Sequence, residues 1–275
     1  MRKALYEHAA DYTDIANSNS NIGALYCILG DYRKALENHE EALVINKAVY
    51  GDNTNHTDIA ISYNYISSAH NLVGDYKRAL EYHSKALVIL KAAFGDTANH
   101  TYIATTYNNI GSAHSSLGDF GIALEYLRKA LVMQKAVYGD PANHTDIASI
   151  YNSTGVTYQS QGNYRKALEY YEKALRIQKA VYGKNTNHIN IATSYRNIGS
   201  AHSSLGDYRK TLECCRQALV MLKAVYRDDT NHIDVAKVYS DISLVYRSKG
   251  KRTQASIYKK RSLAIMKARQ TSSSP

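Results

Sequence analysis

The sequence predicts an all-α solenoid built from antiparallel helix pairs that repeat every 44 residues. The dipeptide Asn-His recurs with this spacing at residues 55–56, 99–100, 143–144, 187–188 and 231–232. A fixed period of about 20 to 50 residues is typical of stacked units that each contact only their neighbours. The composition agrees, because two prolines, no tryptophan and many Ala, Leu, Lys and Glu residues favour helix.

Each repeat contains the pattern of two helices joined by a tight turn. In residues 57–73, apolar residues recur at three- and four-residue spacing, which indicates an amphipathic helix. Gly74-Asp75 ends this helix, because glycine suits the left-handed residue after a helix and aspartate suits the cap of the next one. The second helix is expected over residues 76–94, before the loop to the next Asn-His.

Small residues recur in the middle of the first helices. Glycine in a helix interior costs roughly 1 kcal/mol relative to alanine, so its repeated use predicts that the second helix approaches closely at this point. These positions are Gly23, Gly111, Gly155 and Gly199, with Ser67 and Ser243 in the remaining repeats.

The period also sets the expected boundaries. We expect one repeat domain over residues 1–270, with a partial helix at 1–10 and a disordered tail at 271–275. Residues 3–6 match residues 47–50 one period later, so the chain is expected to open inside a second helix, as a fragment of a longer array. The six helix pairs are expected to start near residues 13, 57, 101, 145, 189 and 233.

Nearly the whole chain resembles the tetratricopeptide repeat, and one stretch illustrates the resemblance. It consists of residues 107–114 (Tyr-Asn-Asn-Ile-Gly-Ser-Ala-His), Gly118-Asp119-Phe120 and residues 123–126 (Ala-Leu-Glu-Tyr). The usual unit has about 34 residues and ends in a proline. Here the proline is absent and the second helix runs further, as in the variant found in kinesin light chains. The resemblance implies a right-handed superhelix whose first helices line a concave groove.

By this resemblance, polar residues of the first helices face the groove and are candidates for peptide binding. A ladder of carboxamides can pair with an extended main chain without reading its side chains. Asn109 and Asn197 stand where many such repeats hold a peptide backbone, whereas Tyr65 and Ser153 break that pattern. The alternative is a solvated polar groove without a ligand. The candidates are Asn64, Ser68, Asn108, Asn109, Ser112, Asn152, Gln159, Arg196, Asn197, Ser200, Lys237 and Arg247.

Positive charge is concentrated in the last repeat. Residues 237–275 hold ten Lys and Arg against one Asp, whereas residues 1–236 hold 24 against 23 Asp and Glu. Such a patch attracts anionic partners, and Lys237 and Arg247 are expected to face the groove, so the sequence predicts an acidic partner segment. The alternative is a solvated cap that shields the last face of the solenoid. Nucleic acid is disfavoured, because no basic stripe with stacking aromatics follows the groove.

The sequence shows no signature of catalysis, of a cofactor or of a metal site. It lacks a phosphate-binding loop, a His-Glu-x-x-His motif and a Cys-x-x-Cys pair. His56 and its equivalents occur once per repeat, too far apart to share one zinc ion. We interpret them as helix-start residues, with Asn55 and Asp58 forming a capping box. No run of 18 apolar residues and no secretory signal occurs, which predicts a cytoplasmic protein.

Together these features predict a non-catalytic adaptor that holds an extended, acidic segment of a partner protein. The alternative is a structural or regulatory array of a larger multidomain protein, acting by self-association or intramolecular docking. A third hypothesis, a nucleic-acid binder, predicts an affinity that falls steeply with salt. The sequence predicts neither the identity of the partner nor the oligomeric state.

Overall fold

A computed structural model describes residues 9–51, 55–96, 98–139, 143–183, 186–227 and 232–272. These residues form helices joined by short connections, with no strand among them, so the predicted all-α class is confirmed. The helices are α1 (Ala9–Leu29), α2 (Tyr32–Tyr50), α3 (Thr57–Val73), α4 (Tyr76–Phe94), α5 (Thr101–Leu117), α6 (Phe120–Tyr138), α7 (Thr145–Ser160), α8 (Tyr164–Tyr182), α9 (Ile189–Ser204), α10 (Tyr208–Val225), α11 (Ile233–Ser248) and α12 (Arg252–Ser272).

The ends of the described chain differ from the expected boundaries. The partial helix expected at 1–10 falls on residues 1–8, which lie outside the described residues, and on Ala9 and Ala10, which belong to α1. Thr271 and Ser272 belong to α12 rather than to a tail, and residues 273–275 again lie outside the described residues. The chain divides into two compact units, residues 1–140 and 141–275.

Each unit is built in the same way. Every helix packs against the next helix of its unit, as expected for antiparallel helices joined by short turns. The first helices of successive pairs also contact each other: α1 with α3 and α3 with α5 in one unit, α7 with α9 and α9 with α11 in the other. In each unit the first helices therefore form a continuous row, and this row carries the predicted binding residues.

The turn inside a pair follows the predicted Gly-Asp chemistry. Gly74 ends α3 in the left-handed conformation, with φ of 89°, which an L side chain rarely adopts. The carboxylate of Asp75 then accepts a hydrogen bond of 3.2 Å from the backbone N–H of Arg78 and caps α4. The equivalent cap is made by Asp31, Asn163 and Asp207.

The Asn-His dipeptide marks the start of the first helices, but the capping atom belongs to the histidine. Nδ1 of His56 accepts a bond of 3.4 Å from the backbone N–H of Asp58, so the predicted capping box between Asn55 and Asp58 is wrong. The imidazole also stacks on Tyr50 at the end of the preceding helix, with 3.4 Å between ring centroids. The Tyr50 hydroxyl donates to Asp58 at 3.0 Å. The same stack joins Phe94 to His100, Tyr182 to His188 and Tyr226 to His232.

The histidine therefore joins one helix pair to the next as well as starting a helix. An asparagine at the cap position could accept the same backbone bond but could not stack on a tyrosine ring. The 44-residue period of Asn-His in the sequence is therefore the spacing between these junctions of helix pairs.

The mid-helix glycines allow the predicted close approach within a pair. A Cβ on Gly155 would lie 2.5 Å from the ring of Tyr171, which is 1% exposed, and a Cβ on Gly23 would lie 2.5 Å from the ring of His39. These distances are far below van der Waals contact. The large side chain of the second helix thus packs directly on the backbone of the first.

In the second helix pair the contact between the two helices is made by a serine and a histidine. Ser67 replaces the glycine, and its hydroxyl lies 2.9 Å from Nδ1 of the buried His83. The side-chain oxygen of Asn64 lies 3.0 Å from the same nitrogen. Burial lowers the pKa of His83 to about 4, so the ring is neutral inside this polar cluster at neutral pH.

Candidate peptide-binding surface

The predicted ladder residues lie on the rows of first helices, but several are already hydrogen-bonded to the next pair. The amide of Asn64 donates to the hydroxyl of Thr106 at 3.0 Å, and the amide of Asn152 lies 3.4 Å from the hydroxyl of Ser194. Both bonds join neighbouring first helices of one unit. These two carboxamides therefore stabilise the stacking of the array, and fewer of their polar groups remain for a ligand.

Arg196 occupies the equivalent ladder position in α9 and forms an ion pair with α11. Its Nε donates to the carboxylate of Asp241 at 2.9 Å, and both side chains are about one-third exposed (34% and 31%). Burial raises the pKa of Asp241, while the Arg196 guanidinium opposes that shift. Asp241 is the one acidic residue of the basic segment 237–275, so the charge that Arg196 was expected to offer is largely neutralised.

Asn108 and Asn109 form fewer hydrogen bonds with the rest of the array. The Asn108 amide makes a long contact of 3.5 Å to the Asn109 side-chain oxygen. The Asn108 side-chain oxygen is buried and has no hydrogen-bond partner among the described residues. In the second unit, Asn197 is half-buried and its side chain likewise bonds to no other described residue. These three carboxamides are the members of the ladder with donors and acceptors to spare.

The remaining polar candidates are engaged locally. The hydroxyls of Ser68 and Ser112 donate to the backbone oxygens of Asn64 and Asn108 in their own helices, at 2.8 and 3.0 Å. Gln159 bridges two pairs. Its amide donates to Ser200 at 2.9 Å, and its side-chain oxygen accepts from the Tyr171 hydroxyl at 3.0 Å.

The two predicted cations of α11 differ in their surroundings. Lys237 is exposed, but its Nζ lies 3.2 Å from Asp234 one turn earlier in the same helix. Arg247 is exposed and has no carboxylate within ion-pair distance among the described residues. Arg247 is therefore the free cation of the predicted set.

Arg247 lines a cleft of about 540 Å³ between α11 and α12. Leu244, Leu263 and Met266 give the lining an apolar part, and Lys259 adds a second positive charge. Lys259 belongs to the basic segment 237–275 but is not among the candidate binding residues, because its equivalents in other repeats, such as Tyr171 and Leu127, are buried packing residues. The lining comprises Ser240, Ser243, Leu244, Arg247, Ala255, Ser256, Lys259, Ser262, Leu263 and Met266.

A second cleft, of about 440 Å³, lies on the row of first helices in the first unit. Amide and hydroxyl groups dominate it, with Asp58 as its one carboxylate and with Tyr65 and Tyr102 partly exposed. Tyr65 departs from the asparagine pattern of the ladder, and this departure is the sequence signal that points to the cleft. The lining comprises Asn17, Ser20, Asn21, Asn46, Asp58, Ile61, Ser62, Tyr65 and Tyr102.

The described residues contain no cluster of three His, Cys, Asp or Glu side chains that could hold a metal ion. Burial raises the pKa of Cys214 to about 11 and that of Cys215 to about 12, so neither thiol is ionised at neutral pH. None of the described helices is long and apolar enough to cross a membrane.

Sequence comparison matches overlapping repeat pairs along nearly the whole chain. The sequence model of the tetratricopeptide repeat matches residues 14–92, 58–136, 102–180, 146–224 and 190–268. The chain belongs to the tetratricopeptide repeat family. A comparison of this tetratricopeptide repeat protein with curated proteins gives no match.

Solved structures share the tetratricopeptide fold. BtubC (BKLC) from P. vanneervenii has a TM-score of 0.63 at 16% identity, over 92% of this chain and 94% of that chain. A putative kinesin light chain from Podosopora anserina with nearly identical TPR-like repeats has a TM-score of 0.55 at 18% identity, over 78% and 98%. A Rap protein complexed with Competence and Sporulation Factor has a TM-score of 0.66 at 14% identity, over 92% and 75%.

At these identities the likeness concerns the fold. It confirms the predicted α-solenoid and the resemblance to repeats of the kinesin light chain type. Membership of the tetratricopeptide repeat family favours a scaffold for protein–protein interaction.

Proposed function

We propose that this protein is a non-catalytic scaffold that holds an extended segment of a partner protein along its first helices. The observation that carries the proposal is the pair of adjacent carboxamides at Asn108 and Asn109, which keep unused hydrogen-bonding capacity in the first unit's row. The Asn108 amide makes only one long contact among the described residues, to Asn109, so its N–H groups can donate to the carbonyl oxygens of a bound segment. The Rap neighbour, solved with a bound factor, supports the same class of function.

The chemistry of these groups suits a main chain better than a particular side chain. Each carboxamide offers both a donor and an acceptor, and an extended peptide presents both along its edge. Asn197 offers the same groups in the second unit. Asn64 and Asn152 are less suitable test positions, because their bonds to Thr106 and Ser194 also hold the array together.

We further propose that the bound segment is acidic where it meets the last helix pair. Arg247 and Lys259 line the cleft there, and among the described residues neither forms an ion pair. The excess of ten Lys and Arg over one Asp in residues 237–275 adds a long-range attraction for anions. Arg196 and Lys237 attract an anionic segment less strongly, because they already form ion pairs with Asp241 and Asp234.

A peptide array of acidic, neutral and basic segments tests this function, followed by calorimetry of the strongest binder. The double variant Asn108→Ala/Asn109→Ala is expected to weaken binding by roughly ten-fold or more, because about two hydrogen bonds of about 1 kcal/mol each are lost. Asn38→Ala is the matched control, since Asn38 is a half-buried asparagine of α2 that bonds only within its own helix. Equal affinity of wild type and double variant would contradict the role of this pair.

A separate variant tests whether positive charge at the last helix pair selects an acidic segment. Arg247→Glu is expected to lower the affinity for acidic segments several-fold at low salt. The loss of affinity should be smaller at high salt, because salt screens exposed charges. Equal binding of acidic and basic segments by the wild type would show that charge does not select the partner.

A further inference from the structure

The cleft of about 440 Å³ in the first unit, here called the first-unit cleft, is open because the chain departs there from its own repeat. The carboxamides of Asn64 and Asn152 bridge to the hydroxyls of Thr106 and Ser194 in the next first helix, at 3.0 and 3.4 Å. The equivalent residue of α1 is Ser20, whose shorter side chain forms no hydrogen bond with the described residues. The space that an asparagine fills in those repeats therefore stays open between two described helices, α1 and α3.

A buried carboxamide of α2 lines the first-unit cleft and has an unused acceptor. Asn46 is only 5% exposed, and its amide donates to the hydroxyl of Ser62 at 2.9 Å. That hydroxyl donates in turn to the backbone oxygen of Asp58 at 2.9 Å, so its oxygen can only accept from Asn46, which fixes the orientation of the carboxamide. The side-chain oxygen of Asn46 bonds to no described residue. It is left as an acceptor for an occupant of the cleft.

The equivalent carboxamide of the second unit uses its acceptor within the array. Gln178 stands three periods after Asn46, and its side-chain oxygen accepts a bond of 2.7 Å from the hydroxyl of Ser194. The same hydroxyl lies 3.4 Å from the amide of Asn152. The first unit has a serine in place of that asparagine, at Ser20, and leaves the acceptor of Asn46 open.

A carboxylate and two tyrosines complete the lining. One oxygen of the Asp58 carboxylate bonds to no described residue. Tyr65 and Tyr102 are 38% and 44% exposed, and both stand where most repeats have asparagine or aspartate. Tyr65 stacks one face on the buried His39, with 5.2 Å between ring centroids, so its other face is the one available to a ligand.

These groups suit a guanidinium better than an anion or an apolar group. None of the described lining residues carries a positive charge, whereas a carboxylate, a buried carbonyl oxygen and two aromatic rings all attract a cation. A guanidinium presents five N–H donors in one plane and can also stack on an aromatic ring. It can therefore use all three kinds of group at once. An ammonium group has no such plane and would use them less completely.

We propose that the first-unit cleft binds the guanidinium of an arginine side chain in the bound segment. Asp58 and Asn46 accept its hydrogen bonds, and a tyrosine ring packs on its plane. The inference rests on the proposed function for the source of the arginine, because a segment held along the first helices passes this cleft. It adds selection of one side chain to the capture of main chain by Asn108 and Asn109.

Nuclear magnetic resonance of the isotope-labelled chain, titrated with acetyl-arginine-amide, tests the cleft directly. Saturable shifts are expected at the backbone amides of Tyr65 and Tyr102. The neutral isostere acetyl-citrulline-amide should bind roughly ten-fold more weakly, because the charge-assisted bonds to Asp58 are lost. Asp58→Asn should weaken the arginine probe by a similar factor, although its side chain can still accept from Tyr50. Circular dichroism checks that the variant folds.

Asp146→Asn is the matched control for the charge. Asp146 stands two periods after Asp58, and the two carboxylates lie 3.5 and 3.6 Å from Nδ1 of the histidine that caps their helices. Asp146 does not line the first-unit cleft, so this variant should bind the arginine probe like the wild type.

A second variant closes the cleft and leaves Asp58 in place. Ser20→Asn gives α1 the asparagine that bridges first helices at Asn64 and Asn152. The new carboxamide is expected to bond to Ser62 and to exclude the arginine probe. Urea unfolding should show unchanged or raised stability, because the new side chain fills open space. Full probe affinity in a folded Ser20→Asn would contradict this position for the ligand.

The outcomes separate this inference from the proposed function. The absence of saturable shifts, equal affinity for the arginine and citrulline probes, or equal arginine affinity of wild type and Asp58→Asn would each overturn the inference. A segment whose binding depends on Asn108 and Asn109 but not on replacement of its arginine by citrulline would overturn it and leave the scaffold standing. Binding of the arginine probe without binding of any segment would overturn the scaffold and the segment as the source, and would assign the cleft to free arginine.

Discussion

Acidification from about pH 7 to about pH 4 is expected to destabilise the wild type by up to about 3 kcal/mol more than it destabilises His83→Gln. His83 is fully buried between α3 and α4, and burial lowers its pKa from the ordinary value of 6.5 to about 4. The folded protein thus holds the neutral ring. In the unfolded chain the same histidine takes up its proton as the pH falls through 6.5.

The direction of the effect follows from proton binding in the two states. Between pH 6.5 and about pH 4 the unfolded state binds more protons than the folded state, so the free energy of unfolding falls as the pH falls. Above that window the contribution of His83 is complete, and below it the contribution is lost. The groups around the ring are Ser67, Asn64 and Asn71, all uncharged, so desolvation is not compensated by a carboxylate.

Urea unfolding at several pH values, in wild type and variant, measures this difference. Glutamine keeps a side chain that can bond to Ser67 and Asn64 but does not titrate, so the comparison isolates the ring proton from the titration of surface carboxylates. His39→Gln is a useful second variant, because burial lowers the pKa of His39 too. Parallel pH profiles for wild type and His83→Gln would contradict the prediction.

Local sequence signals were sufficient for the helices and for the period. Helix ends depend on residues close in sequence, such as Gly74 and Asp75, and the apolar spacing of each helix is visible in the chain itself. The family resemblance added the row of first helices on which the candidate residues lie. These features do not require knowledge of what lies opposite a given side chain.

Whether a candidate side chain is already bonded within the array depends on which residue lies opposite it. Asn64 and Asn108 are equivalent by period, yet only Asn64 meets a hydroxyl of the next first helix, at Thr106. Arg196 would count as a free cation by sequence, but Asp241 from the next pair neutralises it. Such bonds join residues 42 to 45 positions apart, and the packing offset between the helices decides which residues meet. The residue 42 positions after Asn108 is Ile150, which has no hydroxyl.

The capping error has a similar origin. Asparagine is a strong helix cap, so the sequence favoured Asn55. Histidine takes the position because its ring also stacks on Tyr50, a residue at the end of the preceding helix. A tertiary contact therefore determines which residue caps the helix, whereas local propensity alone favours the asparagine.

The tight contact between Gly155 and Tyr171 gives the second large prediction. Gly155→Ala is expected to lower the free energy of unfolding by about 1–3 kcal/mol, because the new methyl group would overlap the buried ring and force it or the helix to move. The Cβ would lie 2.5 Å from a ring carbon of Tyr171. Gly121→Ala is the matched control in α6, where a Cβ meets no atom within 4 Å. It should instead raise stability by up to about 1 kcal/mol.

The second helix pair supplies a natural compensation for this overlap. It places Ser67 and His83 at the positions that Gly155 and Tyr171 occupy two periods later. Gly155→Ser and Tyr171→His should therefore each destabilise the protein alone, while the double variant should lose less than the sum of the two. In the second pair the histidine ring lies beside the serine hydroxyl, at a distance of 2.9 Å, and can accept its hydrogen bond. Urea unfolding of the four proteins in this double-mutant cycle measures the coupling. Additive losses would show that the glycine is required for a reason other than the ring opposite it.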